Sequence, residues 1–246
     1  MQKQAHKNTD GASYKGIPVH AAPGLHEAVI EHIAASASEK RILELGCGSG
    51  ALTLRLVENG FQVRAVDLSL DSFAAEVEAL ELDLNGDFAE ILSDQDTDLV
   101  VAVEVIEHLE NPQHFLRQIA RLMKPETRLW LSFPNMLLYL NGWLFPKDGT
   151  FAFWNEQQYW EMGHQTLLPA WLFEQHLKKA GLRPLARHFV APADLKESHG
   201  NPLKRLISRG ILEIMLLLFR SVSRQQRLAS CVLYQIALDD RSPSNS

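Results

Sequence analysis

Two glutamates and a histidine stand within six residues in EVIEHL, residues 104–109, and a second histidine, His164, follows in FAFWNEQQYWEMGHQTLLP. If a helix begins near Val105, Glu107 and His108 fall three and four positions beyond Glu104, so all three side chains can point one way. Carboxylates and imidazoles together ligate Mg, Mn, Co, Fe or Zn, and His108 or His164 alone could act as a general base. The same stretch also suits the polar start of a helix, because Asn111 is a good cap and Pro112 a good first helical residue. Upstream, ILELGCGSG, residues 42–50, places Gly46, Gly48 and Gly50 between an apolar run and a helical pattern. Glycines there let the backbone approach a ligand, and the helix end offers free N–H groups. Asp67, 21 residues after Gly46, is placed to bind a ribose, either in a dinucleotide enzyme or in another nucleoside-binding fold. Glu44 is an odd residue for a buried parallel strand unless it serves the site or pairs with a cation.

These residues need a scaffold of alternating strands and helices. Strands are expected at 41–45, 61–66, 98–103, 128–133, 185–190 and 230–238. Helices are expected at 24–35, 51–59 (ended by Gly60), 112–123 and 170–180. Alternation of this kind asks for a doubly wound, mostly parallel α/β sheet. The last strand, after one more helix, would slot in antiparallel at the edge. EVIEHL then begins at the carboxyl end of a central strand, where open α/β sheets bind ligands.

Apolar residues make up 46% of the 246 and charged residues 22%, enough for one large core and too hydrophobic for wholesale disorder. Only Cys47 and Cys231 are present, so no disulfide framework is expected, and no N-terminal stretch resembles a signal peptide. The expected location is cytoplasmic. The net charge of −6 speaks against nucleic acid.

Taken together, ILELGCGSG, VRAVDLS (63–69), GDF (86–88) and DLVVAVEVIEHL (98–109) resemble successive motifs of class I S-adenosylmethionine-dependent methyltransferases over roughly residues 25–190. The resemblance implies a Rossmann-like, seven-stranded methyltransferase fold with S-adenosylmethionine as cofactor. By that likeness Gly46, Cys47, Gly48 and Gly50 wrap the methionine part, with Glu44 beneath them. Asp67 accepts both ribose hydroxyls and Leu68 packs on adenine. Asp87 takes the adenine amino group, Phe88 supplies backbone and apolar contacts, and Glu104 closes the cofactor set. Thr97 departs from the pattern, standing where many relatives carry an aromatic. More narrowly, the chain resembles the ubiquinone-biosynthesis type and the small-RNA 2′-O-methyltransferases, which pair E-x-x-E-H with a later histidine. That resemblance implies Glu104, Glu107, His108 and His164 as ligands of a divalent metal near an acceptor hydroxyl, and O-methylation of a small or lipid-linked molecule. The alternatives are a nicotinamide-dependent Rossmann oxidoreductase, against which Glu44 and GDF speak, and a non-catalytic methyltransferase-like binding subunit.

The expected organisation is an N-terminal tail or lid at 1–20, a methyltransferase domain at 21–238 and a tail at 239–246. Within the domain, 134–169 is a helical insertion after the fifth strand. Its Phe145, Phe151, Phe153, Trp154, Tyr159 and Trp160 suit either an acceptor lid or a small satellite core. Residues 202–227 carry six cations against Glu213 and read as a basic amphipathic helix. It could lie on the sheet or touch anionic lipid at the inner membrane face, and its apolar run is too short to span a bilayer.

Overall fold

The computed structural model describes residues 13–36, 41–93, 96–192, 210, 213–214, 217 and 222–239. Residues 1–12 of the expected N-terminal tail 1–20, residues 240–246 of the expected tail 239–246, and most of the basic segment 202–227 lie outside the described residues. The chain enters through a two-stranded hairpin, β1 (Ser13–Tyr14) and β2 (Ile17–Pro18), then α1 (Leu25–Ser36) and β3 (Arg41–Leu45). After the glycine turn come α2 (Ala51–Glu58), β4 (Gln62–Asp67), β5 (Ala79–Glu81), α3 (Phe88–Leu92) and β6 (Leu99–Val103). A 3-10 turn at Ile106–His108 precedes α4 (Pro112–Leu122) and β7 (Arg128–Pro134). The insertion supplies α5 (Asn141–Asp148) and α6 (Glu156–Met162). The chain continues as α7 (Ala170–Lys179), β8 (Leu182–Pro192), a short helix Arg224–Leu228, and β9 (Ala229–Leu238).

The larger sheet has seven strands in the order β5-β4-β3-β6-β7-β9-β8. Strands β5, β4, β3, β6 and β7 pair in parallel, and β9 pairs antiparallel with both β7 and β8. Successive core residues alternate between the two faces, as a pleated strand buried on both sides requires. Ile42, Leu99, Val101 and Trp130 pack with Leu25, Val29 and Ile33 of α1 and Leu52 and Leu56 of α2. Leu43, Val100, Leu129 and Phe133 pack on the opposite side with Phe88, Phe115, Leu116 and Phe173.

The last strand is antiparallel as expected, but it lies one place in from the edge. Eight of its ten residues are buried, which an edge position would not provide, whereas β8 at the edge exposes much of its length. The three-residue β5 carries no sequence signal of its own. The end of α2 matches expectation, with Gly60 at φ 88 in the left-handed region. Asn111 caps α4 by accepting from His114 N at 2.9 Å, with Pro112 at the first helical position.

Candidate functional site

The strand order reverses between β3 and β6, and ligand sites of open α/β sheets form at the carboxyl ends of strands flanking such a point. The glycine turn leaves β3 there. Gly46 N and Cys47 N both donate to Val66 O, at 2.7 and 3.1 Å, hooking the turn over the end of β4. Gly46 has φ 78, and a Cβ on it would lie 2.3 Å from Val105 Cγ2, so the turn and the start of EVIEHL touch where only glycine fits. Gly48 N donates to Asp67 Oδ2 at 2.7 Å. Leu68, next in the chain, is 70% exposed, a bare apolar surface beside that carboxylate. The N-terminal hairpin reaches the same turn, because Ser49 Oγ donates to Pro18 O at 2.5 Å.

Glu44 lies under the turn, buried, and accepts from Thr53 Oγ1 at 2.6 Å. Burial pushes its carboxyl up to about 8, a rise the Thr53 hydrogen bond partly offsets and nearby Asp67 reinforces. The exposed Asp87 side chain accepts from Gln118 Nε2 at 2.8 Å and lies 3.5 Å from His114 Nε2. Phe88 is placed differently from expectation: its ring is fully buried against Phe115 in the core, leaving only its backbone for a ligand.

EVIEHL does not form the helix that would have pointed Glu104, Glu107 and His108 one way. Glu104 sits at φ 55, rare for a residue with a Cβ, and the chain then makes the 3-10 turn. Glu104 N donates to Ser132 Oγ at 3.2 Å, Ser132 Oγ lies 3.3 Å from Glu104 Oε1, and the Cys231 thiol donates to Oε2 at 3.5 Å. Burial raises the Glu104 carboxyl to about 7, against the pull of Cys231 and Ser132. Its backbone turn separates it from the residues that follow. Glu107, His108 and His164 present ligand atoms all within 4.8 Å of one another, and Glu104 is outside that group.

Glu107 is 1% exposed, and among the described residues neither carboxylate oxygen has a hydrogen-bond partner. A buried carboxylate in that state is costly unless protonated or bound to a cation. Burial first, and Glu104 second, hold its carboxyl well above the usual range. His164 Nδ1 lies 2.8 Å from Phe153 O, so Nδ1 carries the proton and Nε2 keeps its lone pair. His108 packs edge-on to His164, with ring centroids 4.8 Å apart. Burial, then His164, push His108 down to about 4, and burial also lowers His164. The donor set is thus two neutral imidazoles and one unpartnered carboxylate, which fits a divalent ion with coordination positions left over.

His164 is brought to EVIEHL by the insertion. Gln165 N and Thr166 N both donate to Glu107 O at 3.0 Å, Thr166 Oγ1 donates to Leu109 O at 2.5 Å, and Trp154 Nε1 donates to Thr166 O at 3.2 Å. The insertion also forms a small satellite core of Leu138 and Tyr139 with Phe153 and Leu228. Trp143, Phe145, Tyr159 and Trp160 remain exposed, and an open cavity of about 290 Å³ lies between Leu137, Asn141, Phe145, Phe151 and Arg227. Among the described residues no helix is long and apolar enough to cross a membrane. Thr53, Ser132, Cys231 and Gln118, which brace the candidate residues, escaped sequence reasoning because register between distant strands and helices leaves no local pattern.

The chain is 33% identical to a ubiquinone biosynthesis O-methyltransferase of Rickettsia conorii over 139 residues, 50% of this chain and 48% of that one. It is 32% identical to a protein of the same description from Bordetella pertussis over 136 residues, 52% of this chain and 56% of that one. The chain thus spans about half the length of the curated relatives it matches. In structure it is similar to a SAM-dependent methyltransferase from Archaeoglobus fulgidus, with TM-score 0.59, 17% identity and coverage of 87% and 94%. It is also similar to magnesium protoporphyrin IX methyltransferase from Synechocystis PCC 6803 with bound SAH, with TM-score 0.52, 16% identity and coverage of 87% and 81%. The family described as "Methyltransferase domain" matches residues 20–186, and with the sheet order and glycine turn above, the chain belongs to that family and has the class I methyltransferase fold.

Proposed function

We propose that the protein transfers a methyl group from S-adenosylmethionine to a hydroxyl of a small or lipid-linked acceptor, with Glu107, His108 and His164 on the acceptor side. The observation that carries this reading is the pair of buried, unpartnered Glu107 oxygens beside two neutral imidazoles. They stand in a segment that touches the glycine turn through Val105 and Gly46.

Transfer from a sulfonium is an in-line displacement in which positive charge disappears, so the protein's work is to align the acceptor and take its proton. Asp67, the Gly46–Gly50 turn and Glu44 hold the cofactor, while Asp87 and the Phe88 backbone meet the adenine. Glu107, His108 and His164 would hold a divalent metal, which when bound lowers the pKa of an acceptor hydroxyl and orients it. Glu104, fixed by Ser132 and Cys231, belongs to the cofactor side of this reading. With Nδ1 committed to Phe153 O, His164 presents Nε2 either as ligand or as proton acceptor. The exposed Trp143, Phe145, Tyr159 and Trp160 support an acceptor with a substantial apolar part, delivered where rings of this kind meet a lipid surface. Contact of the 202–227 segment with that surface belongs to the same reading.

The test is transfer of labelled methyl from S-adenosylmethionine into host extract, fractionated into lipid, polysaccharide, RNA and small molecules, with and without EDTA. Label in a lipid or small-molecule fraction, lost with EDTA and restored by a divalent ion, is the expected result. Label indifferent to EDTA removes the metal and leaves a histidine base. Absence of transfer with intact cofactor binding points to a non-catalytic subunit.

A further inference from the structure

We infer that Asn141 is a positioning residue for His164: its side-chain amide fixes the 151–154 turn, whose Phe153 carbonyl holds the His164 ring in one tautomer. The inference rests on the reading that His164 works at the site.

The turn is closed by two hydrogen bonds, Phe151 N to Trp154 O at 3.1 Å and Trp154 N to Phe151 O at 3.0 Å. At its far end the Trp154 indole donates to Thr166 O, and Thr166 is itself bonded to Glu107 and Leu109. That end is tied directly to EVIEHL. At its near end the turn is tied by Asn141, whose Oδ1 accepts from Ala152 N at 2.8 Å. Asn141 Nδ2 donates to Met136 O at 3.1 Å, just past the end of β7. One buried amide, 6% exposed, thus links the exit of a central strand to the residue next to Phe153.

Phe153 O in turn receives His164 Nδ1 at 2.8 Å. A neutral imidazole bonded this way must keep its proton on Nδ1, which leaves Nε2 available to a ligand or a proton. The Oδ1 acceptor holds the turn, while the Nδ2 bond to Met136 O only anchors the amide itself. Without the Oδ1 acceptor the turn is held at one end only. Phe153 O can then drift from Nδ1, and nothing fixes the tautomer.

The experiment is long-range 1H–15N NMR of the histidine rings in metal-free protein at neutral pH, paired with Co2+ titration by absorbance. Wild type should show a single Nδ1–H tautomer for His164. Asn141→Ala should show a mixture of tautomers and bind Co2+ about 10- to 100-fold more weakly, the range expected when the outer partner of a ligand is lost. Asn141→Asp keeps an oxygen facing Ala152 N and should retain the wild-type tautomer. Leu56→Ala, a core change in α2, should lower thermal stability without moving the tautomer signal. A folded Asn141→Ala with an unchanged His164 tautomer overturns the inference, as does loss of the tautomer in Asn141→Asp. Should Asn141→Ala fail to fold, Asn141→Asp decides alone, a retained tautomer supporting the inference and a mixed one overturning it. A wild type that binds no Co2+ sinks the metal reading alone, because the tautomer signal is read without metal, substrate or turnover.

Discussion

The backbone N–H of Gly48 donates to Asp67 Oδ2 at 2.7 Å, joining the middle of the glycine turn to the end of β4. The bond aims a half-buried carboxylate across the turn, and among the described residues its other oxygen meets only Ser69 N, at 3.4 Å. An acceptor held this way, beside the bare Leu68, is ready for a pair of vicinal hydroxyls. Asp67→Ala should weaken S-adenosylhomocysteine binding by about 10- to 100-fold in calorimetry, since hydrogen bonds to a charged group contribute about 1.5–3 kcal/mol. Unchanged affinity would remove the ribose assignment.

Glu107 yields a prediction of two opposite signs. Its carboxyl is buried without a hydrogen-bond partner, so in metal-free protein it costs stability, while in metal-bound protein it would contribute a ligand. Glu107→Leu should therefore stabilise the chelated protein by roughly 1–3 kcal/mol of relieved desolvation, read as a higher melting temperature, and abolish bound metal by elemental analysis. A lower melting temperature in chelator would mean that the carboxyl is satisfied by something else.

Sequence alone was informative where chemistry is local and silent where it depends on register. The Gly46, Gly48 and Gly50 turn and the Asp67 spacing follow from a short strand-turn-helix-strand run, and each is found where its spacing puts it. The cap at Asn111 is equally local. The position of β9 is not, because antiparallel pairing of Leu129–Pro134 with Cys231–Ile236 joins residues about a hundred apart. With β9 misplaced at the edge, nothing could bring Cys231 to Glu104. EVIEHL was legible in composition but not in shape, since a positive φ at Glu104 breaks the helical spacing that would have aligned all three side chains. His164 was identifiable as a candidate, yet its fixture of Asn141, Phe153 and Thr166 depends on a loop fold that has no periodicity.

Gly46 and Val105 can be tested as a pair. An alanine at 46 would be strained by φ 78 and would place Cβ 2.3 Å from Val105 Cγ2. Gly46→Ala should cost about 2–4 kcal/mol in urea unfolding, from left-handed backbone strain of about 1–2 kcal/mol plus overpacking. Trimming the partner removes the clash but not the strain. In a double-mutant cycle, Gly46→Ala with Val105→Ala should show a favourable coupling of about 1 kcal/mol or more. Strict additivity would mean that the turn and EVIEHL do not press on each other.

Buried titratable groups on the two sides of the pH scale set the last prediction. Glu44 is raised by burial from 4.5 to about 8 in the folded protein. Its contribution to stability is fully present below its unfolded pKa and is lost as pH rises through about 8. His26 is lowered by burial, and secondarily by Arg55, from 6.5 to about 4. Its contribution is fully present above 6.5 and is lost as pH falls through about 4. Between about pH 4.5 and pH 6.5 these two slopes oppose each other, as do those of Glu104 and Glu107 against those of His108 and His164, so the net change is small. Above that window the raised carboxyls act, Glu44 together with Glu104 at about 7 and Glu107, which burial holds well above the usual range, and each can remove up to about 1.4 kcal/mol per pH unit. Urea unfolding of chelated, cofactor-free protein should therefore show stability falling from about pH 6.5 to pH 8. Glu44→Gln should lessen that fall without abolishing it, because Glu104 and Glu107 still titrate there. An alkaline limb as steep in Glu44→Gln as in wild type would show that Glu44 is not held protonated in the folded protein.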